Sequence, residues 1–340
     1  MSRPPLTRSS RTTSRTTLCA TVSAAAVAVL LLGTSCSSDN GDDDNTDVTA
    51  PSQATTVPAA PAASDDCRGF EAVASYPALS PLPAPGVMPS QTRMREIQDS
   101  GRLVVGVSGD TLLFGARNPF TNQIEGFDIE MLRLVSEAIF GEDRLEFRVI
   151  TYAQRLPSLQ DRSVDLVAHT MTINCTRWNQ IGFSTVYYDA GQKVLVRSDS
   201  VATTIDELDA AGARVCAPKG STNLDNLAPY PGVEAVGVDD ITDCLVLFQQ
   251  GKVDAITGDD TVLAGFAAQD PYGKVTGDRF TDEPYGIGAN ADDVDLIAFV
   301  NGVLAQARAD GTWKALYEKW LGQFGATPEP PVANNSRPTP

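Results

Sequence analysis

The 340-residue sequence has a single histidine, His169, no Cys-x-x-Cys pair and no stripe of clustered basic side chains. One imidazole cannot complete a zinc site of several His and Cys ligands. The chain also shows no Ser-His-Asp set, HExxH or phosphate-binding glycine loop, so resident-metal and common hydrolase chemistry lack their groups. With 26 Lys and Arg against 43 Asp and Glu, the formal charge is −17, and nothing here neutralises the phosphates of a nucleic acid. The long apolar run from Leu18 to Leu32 holds fifteen residues, short of the roughly 20 that a spanning helix needs. What is plentiful is ordinary globular material: 42% hydrophobic residues, enough to bury a sizeable core in one large or two smaller domains.

The N-terminus reads as an export signal over 1–35. Arg3, Arg8, Arg11 and Arg15 precede the apolar run, and small residues lead to Cys36. The stretch Leu32-Gly33-Thr34-Ser35-Cys36 resembles a bacterial lipobox, with Gly33 where the usual leucine stands, and implies lipidation of Cys36 after cleavage. Removing the four arginines takes the formal charge from −17 to −21. So acidic a body is held at a membrane by a lipid rather than by a basic patch. The expected location is the extracytoplasmic face of the cell membrane.

Residues 36–64 are Asp, Asn, Thr, Ser, Pro and Ala with almost no large apolar side chain, the composition of a flexible tether. A proline-rich strap follows over 65–92, and 326–340 forms a second proline-rich segment, expected as a disordered tail. Between them, β-branched runs alternate with amphipathic helices. Strands are expected at Arg102–Val107, Leu145–Ile150, Asp165–Ala168, Arg214–Ala217 and Val253–Thr257. Helices are expected at Asp128–Phe140 with Asp128 as N-cap, near Arg155–Gln160, at Asp239–Gln250 and at Thr261–Ala268. The alternation predicts α/β units with largely parallel sheets.

One helix-strand unit occurs twice. Leu156-x-x-Leu159-Gln160-x-x-x-Val164-Asp165-Leu166-Val167 matches Leu245-x-x-Phe248-Gln249-x-x-x-Val253-Asp254-Ala255-Ile256 at a constant offset of 89 residues. A repeat of this kind predicts two similar lobes. Ligands of open α/β sheets bind beyond the carboxyl ends of strands, which singles out Thr170 and, 89 residues on, Asp259.

At these positions the sequence resembles the family 3 extracellular solute-binding proteins. The motifs are Gly126-Phe127-Asp128-Ile129-Glu130, Thr170-Met171-Thr172-Ile173-Asn174-Cys175-Thr176-Arg177 with Gly182-Phe183-Ser184, Lys219-Gly220-Ser221-Thr222, and Val253-Asp254-Ala255 leading to Gly258-Asp259-Asp260. The similarity covers Arg93 to Gln323. Cysteine placement and the proline strap are most similar to glutamine- and glutamate-binding lipoproteins of actinobacteria. The resemblance implies a periplasmic-binding-protein-like α/β fold of two lobes joined by two crossing strands. Lobe 1 would be 93–193 with 285–325, and lobe 2 would be 194–284. The crossings would lie near Gln192–Arg197 and Pro284–Asn290, and helices Asp295–Ala309 and Thr312–Leu321 would complete lobe 1, with Trp313 and Trp320 in its core.

The resemblance also assigns roles. Arg177 would take an amino acid's α-carboxylate, helped by Thr172 and by the backbone amides of Ser221 and Thr222, since a guanidinium offers two parallel N–H groups to two oxygens. Asp259 would take the ammonium with Thr170 assisting, while Asp260 caps a helix. Arg117, His169 and Phe114 are candidates for reading the ligand's side chain, although a lone histidine is more often structural. Three pairings of Cys67, Cys175, Cys216 and Cys244 are possible. Cys216–Cys244 is favoured because both fall in lobe 2, leaving Cys67–Cys175 to tie the N-terminal extension to lobe 1.

The implied function is binding of glutamate, glutamine, aspartate or asparagine by a monomeric protein that needs no metal or cofactor. Its partner would be an ABC-importer permease or a transmembrane sensor. A dehydratase on the same fold is the enzymatic alternative, with Glu125 or Asp259 as its acid.

Overall fold

A computed structural model describes Thr55, Thr56, Cys67 and residues 69–340. The export signal 1–35, Cys36 and the rest of the tether lie outside the described residues, as does residue 68.

The chain runs β1 (Thr55–Thr56), α1 (Arg93–Ser100), β2 (Leu103–Val107), β3 (Asp110–Thr111), β4 (Gly115–Arg117), β5 (Ile124–Glu125), α2 (Phe127–Phe140), β6 (Leu145–Val149), α3 (Arg155–Gln160), β7 (Leu166–Val167), α4 (Cys175–Trp178), β8 (Ile181–Phe183) and β9 (Tyr188–Arg197). It continues α5 (Ile205–Ala210), β10 (Arg214–Pro218), α6 (Thr222–Asp225), β11 (Glu234–Val238), α7 (Ile241–Gln249), β12 (Ala255–Asp259), α8 (Asp260–Gln269), β13 (Gly273–Tyr285), β14 (Gly288–Asn290), α9 (Val294–Ala309) and α10 (Thr312–Leu321).

Two main sheets result, ordered β6-β2-β7-β14-β8 and β1-β11-β10-β12-β9-β13, with a small β3-β4-β5 sheet beside the first. At the heart of each is a parallel trio, β6-β2-β7 and β11-β10-β12. The strands around them are antiparallel, so the sheets are mixed rather than largely parallel. The chain crosses from the first sheet to the second between β8 and β9 and returns between β13 and β14. The crossing segments pair with each other at Asp189↔Pro284 and Tyr188↔Tyr285. Gln192–Arg197, expected as the first crossing, lies inside the second sheet, paired with β12.

The 89-residue repeat is structural. Asp165 accepts from the backbone N–H of Val104 and returns its own N–H to the same residue's carbonyl, and Asp254 does the same with Arg214. Each repeated strand is thereby pinned to the central strand of its parallel trio, β2 or β10.

Each half has its own apolar core. Leu103, Val105, Leu132, Val135, Ile139, Phe299 and Trp313 fill the first, with Trp320 partly buried against it. Val215, Cys216, Cys244, Phe248, Ile256 and Phe266 are buried in the second. Disulfides join Cys67 to Cys175 and Cys216 to Cys244.

Three further sequence expectations change. Asp128 is not the N-cap of α2: Gly126 holds that place at φ 142°, where a Cβ would lie 2.2 Å from the Phe114 carbonyl oxygen. Thr55–Thr56, inside the expected tether, adds an antiparallel edge to β11. The expected disordered tail is packed on the strap. Ser75 and Asn334 hydrogen-bond through the backbone, Arg337 donates to the Ala74 carbonyl, and its guanidinium lies 3.8 Å from the Trp178 ring centroid. These contacts with buried partners supply what its proline-rich composition lacks.

Candidate functional site

The ends of the repeated strands, the start of α4 and the Lys219–Thr222 turn converge between the two halves. Arg177 sits on the four-residue helix α4, whose N-cap Asn174 accepts from the Arg177 backbone N–H. Its guanidinium is buried and donates to the carbonyls of Thr172 at 2.6 Å and Gly220 at 3.3 Å. Asp259 ends β12 from the other half, also buried, and accepts from Asn223 Nδ2 at 2.8 Å and from the Tyr285 hydroxyl. Burial, and after it the charge of Glu283, pushes its carboxyl up to about 7.

Thr170 stands at φ 42°, a strained value for a β-branched residue, with its backbone N–H held 2.8 Å from the Asp128 carboxylate and its hydroxyl buried without a partner. Asp128 also accepts from the Tyr187 hydroxyl at 2.6 Å, and burial raises its carboxyl to about 6. Its role is to fix Thr170. The Thr172 and Thr222 hydroxyls, one from each half, lie 3.2 Å apart. Ser221 is engaged locally: its hydroxyl caps α6 and donates to the Pro218 carbonyl.

A buried guanidinium missed by sequence reasoning completes the set. Arg155, 1% exposed at the start of α3, donates to the carbonyls of His169, Thr170 and Gly220 at 3.0, 3.2 and 3.0 Å. Burial, then the neighbouring Arg177 charge, lowers it to about 9. Among the described residues no carboxylate lies within 4.0 Å of either guanidinium. Glu283, Asp225 and Asp259 act on Arg177, and Asp259 on Arg155, only from beyond contact distance, so both guanidiniums can still take a contacting anionic group. The available signal was the repeat itself, because Arg155 adjoins its first copy.

The other candidates fall differently. Arg117 lies exposed on β4, its guanidinium held by the carbonyl and side chain of Asn122, so the structure does not bring it to the cleft. His169 is buried against Tyr152, with Nε2 3.1 Å from the Ile150 carbonyl and Nδ1 buried without a partner, and burial lowers it to about 3. Phe114 is fully buried with its ring edge against Tyr285, one step behind Asp259. Glu125 is bound by Asn118; Asp260, expected to cap the helix, is instead the first residue of α8, whose N-cap position is Asp259, and its carboxylate pairs with Arg279. Surface cavities of about 620, 410, 330 and 220 Å³ are lined elsewhere, none by Arg177 or Asp259. The halves are closed on one another, with Gly220 packed against Ala153.

Residues 103–323 match the family described as bacterial extracellular solute-binding proteins, family 3. The chain is 34% identical over 227 residues to the ABC transporter glutamine-binding protein GlnH of Bacillus subtilis, covering 66% of this chain and 83% of that protein. It is 32% identical over 238 residues to the glutamate-binding protein GluB of Corynebacterium glutamicum, covering 66% and 80%. Among solved structures, a mutant of the ArgBP of T. maritima superposes with a TM-score of 0.64 at 30% identity, covering 67% of this chain and 99% of that one.

Proposed function

Because the chain belongs to the bacterial extracellular solute-binding proteins of family 3, we propose that it binds a polar amino acid with an acidic or amide side chain for a membrane partner. That partner is an ABC importer or, as the second possibility, a transmembrane sensor. In this reading the protein is exported and held at the membrane by a lipid on Cys36.

Arg177 takes the α-carboxylate and Asp259 the ammonium. The single observation that carries the side-chain preference is the pair of buried guanidiniums, neither in direct contact with a carboxylate, converging on the Gly220 carbonyl. One α-carboxylate satisfies one of them, and a second acceptor on the ligand, best a second carboxylate, satisfies Arg155. Each charge-assisted hydrogen bond contributes about 1.5–3 kcal/mol. Micromolar affinity requires about 8 kcal/mol, which a few such contacts across two closing halves supply. The relatives named for glutamine and glutamate support the same ligand class.

The test is calorimetric titration of the exported body with the twenty amino acids. Glutamate and aspartate bind at micromolar or tighter affinity, glutamine and asparagine more weakly, and Arg177→Ala removes binding of all four. Binding confined to basic or aromatic amino acids, or no binding at all, overturns the reading.

A further inference from the structure

Asp259 is held at both carboxylate oxygens. Oδ1 accepts from Asn223 Nδ2 at 2.8 Å, and Oδ2 accepts from the Tyr285 hydroxyl. Asn223 stands on α6 of the same half, but Tyr285 is the last residue of β13, where the chain crosses back to the first half. Its ring is fully buried in the core of the first half, with the Phe114, Tyr188 and Tyr187 rings at 5.7, 5.4 and 6.2 Å between centroids. Its backbone pairs with Tyr188 and Thr172, and its carbonyl accepts from the Tyr187 N–H at 2.9 Å. Strand β9 fixes the spacing, because it pairs with Asp259 at Gln192 and with Tyr285 at Tyr188. The contact between Tyr285 and Asp259 therefore follows from strand register at the crossing and needs no contact across the mouth of the cleft.

An ionised carboxylate accepts about four hydrogen bonds. Two are taken by these donors, so a ligand's ammonium meets the remaining lone pairs already aimed. Such a contact is only as well placed as the packing and hydrogen bonds that hold it. We infer that Tyr285 is a positioning residue for the ammonium contact: locked by aromatic packing at the crossing strand, it aims the Asp259 carboxylate through its hydroxyl. This rests on the reading in which Asp259 takes the ammonium. A hydrogen bond donated to a carboxylate also favours its ionised form, so Tyr285 works against the burial that raises Asp259. Other groups face the same carboxyl. Glu283 on β13, itself bonded to the Thr172 and Thr222 hydroxyls at 2.6 Å each, raises it, as does Asp260 on α8, while Asn223 lowers it. The Arg155 and Arg177 charges act on it from the first half. Tyr285→Phe leaves all of these in place and removes one donor.

Calorimetric titration with glutamate, from about pH 5.5 to 8.5 so as to span the ionisation of a raised carboxyl, tests this in wild type, Tyr285→Phe and Asp259→Asn. Each chain is first confirmed folded by its melting transition. At neutral pH the phenylalanine variant should bind about tenfold more weakly, the loss of one hydrogen bond to a charged acceptor. The pH profile separates positioning from packing. Without the hydroxyl, Asp259 ionises at higher pH, so the acid limb of the profile moves up and the deficit narrows toward the alkaline end. Unchanged affinity, or an equal deficit at every pH, overturns the inference while a loss in Asp259→Asn leaves the ammonium assignment standing. A ring-fluorinated tyrosine at position 285 keeps the shape and donates more strongly, so it should move the limb to lower pH. That measurement decides the matter if the phenylalanine variant does not fold, and an unmoved limb again overturns the inference. Glutamate affinity untouched by Asp259→Asn removes the assignment itself, and the role of Tyr285 with it.

Discussion

The carboxylate of Asp110, in the first half, accepts from both the backbone N–H and the hydroxyl of Thr242, at 3.1 and 2.8 Å, across the mouth of the cleft. Neither residue belongs to the ligand set. A bond that exists only in the closed state adds to ligand affinity without touching the ligand. With hydrogen bonds to a charged acceptor contributing about 1.5–3 kcal/mol, Asp110→Ala is expected to weaken amino-acid binding about tenfold or more. The loss should appear in the dissociation rate, measured by stopped-flow fluorescence, with the association rate little changed.

Closure also depends on Gly220. Its φ is +76°, and a Cβ there would stand 2.7 Å from the Ala153 Cα on the opposite half. The neighbour is backbone and cannot step aside. Gly220→Ala should therefore abolish tight binding, while each half keeps its fold because the clash lies between them. Small-angle scattering with saturating glutamate should show a variant that stays open, and a variant that compacts like wild type would contradict this account.

Arg155 makes the sharper statement about specificity. Arg155→Met keeps the stem's packing and removes the charge. It is expected to cost glutamate and aspartate about 2–4 kcal/mol of binding, an ion-pair loss at a buried site, and to cost glutamine and asparagine less. The ratio of glutamate to glutamine affinity, measured by calorimetry, is the readout; equal losses for both would make Arg155 a purely structural tie between the carbonyls of Tyr152, His169, Thr170 and Gly220.

The acidic groups of the cleft set a pH dependence of opposite sign for stability and for binding. Asp259 and Asp128 are raised to about 7 and about 6 by burial, above the roughly 3.9 of an unfolded aspartate. Their contribution to folding is therefore fully present below about pH 4 and is lost as pH rises through the folded values. The melting temperature of the ligand-free protein, taken as wild type minus Asp259→Asn, should rise between pH 8 and pH 5.5. A bound ammonium favours the ionised Asp259, so ligand affinity should fall over the same interval, with proton release on binding detectable by calorimetry in buffers of different ionisation enthalpy. Affinity that strengthens toward pH 5.5 would contradict the pairing of Asp259 with an ammonium.

The Cys67–Cys175 bridge attaches the strap to the first residue of the helix that carries Arg177. Replacing both cysteines by serine should lower stability by about 2–5 kcal/mol and loosen α4, reducing ligand affinity as well. The Cys216–Cys244 bridge, closing 28 residues within the second half, should show the stability loss in denaturant titrations without the affinity loss.

Much of the fold was legible because it is written in local pattern. Runs such as Leu103–Val107 and the stripe Leu132, Val135, Ile139 have the periods of strand and helix, and the copy at 89 residues announced two related halves. The short hairpin strands β3 to β5, the edge strand at Thr55–Thr56 and the packed C-terminal tail were not legible. They are held by contacts to distant partners rather than by their own hydrophobic period.

The site divides along the same line. The repeat singled out Asp259 and Thr170, and the resemblance to the family singled out Arg177, as the residues expected to take the ligand's charges. Only the tertiary structure decided that Arg155 turns inward while Arg117 is held outside by Asn122, that Asp128 supports Thr170 instead of capping a helix, and that Glu283 reaches the threonines of both halves. Such facts depend on which segments the closed chain brings within about 3 Å of one another, a distance that sequence separation does not encode.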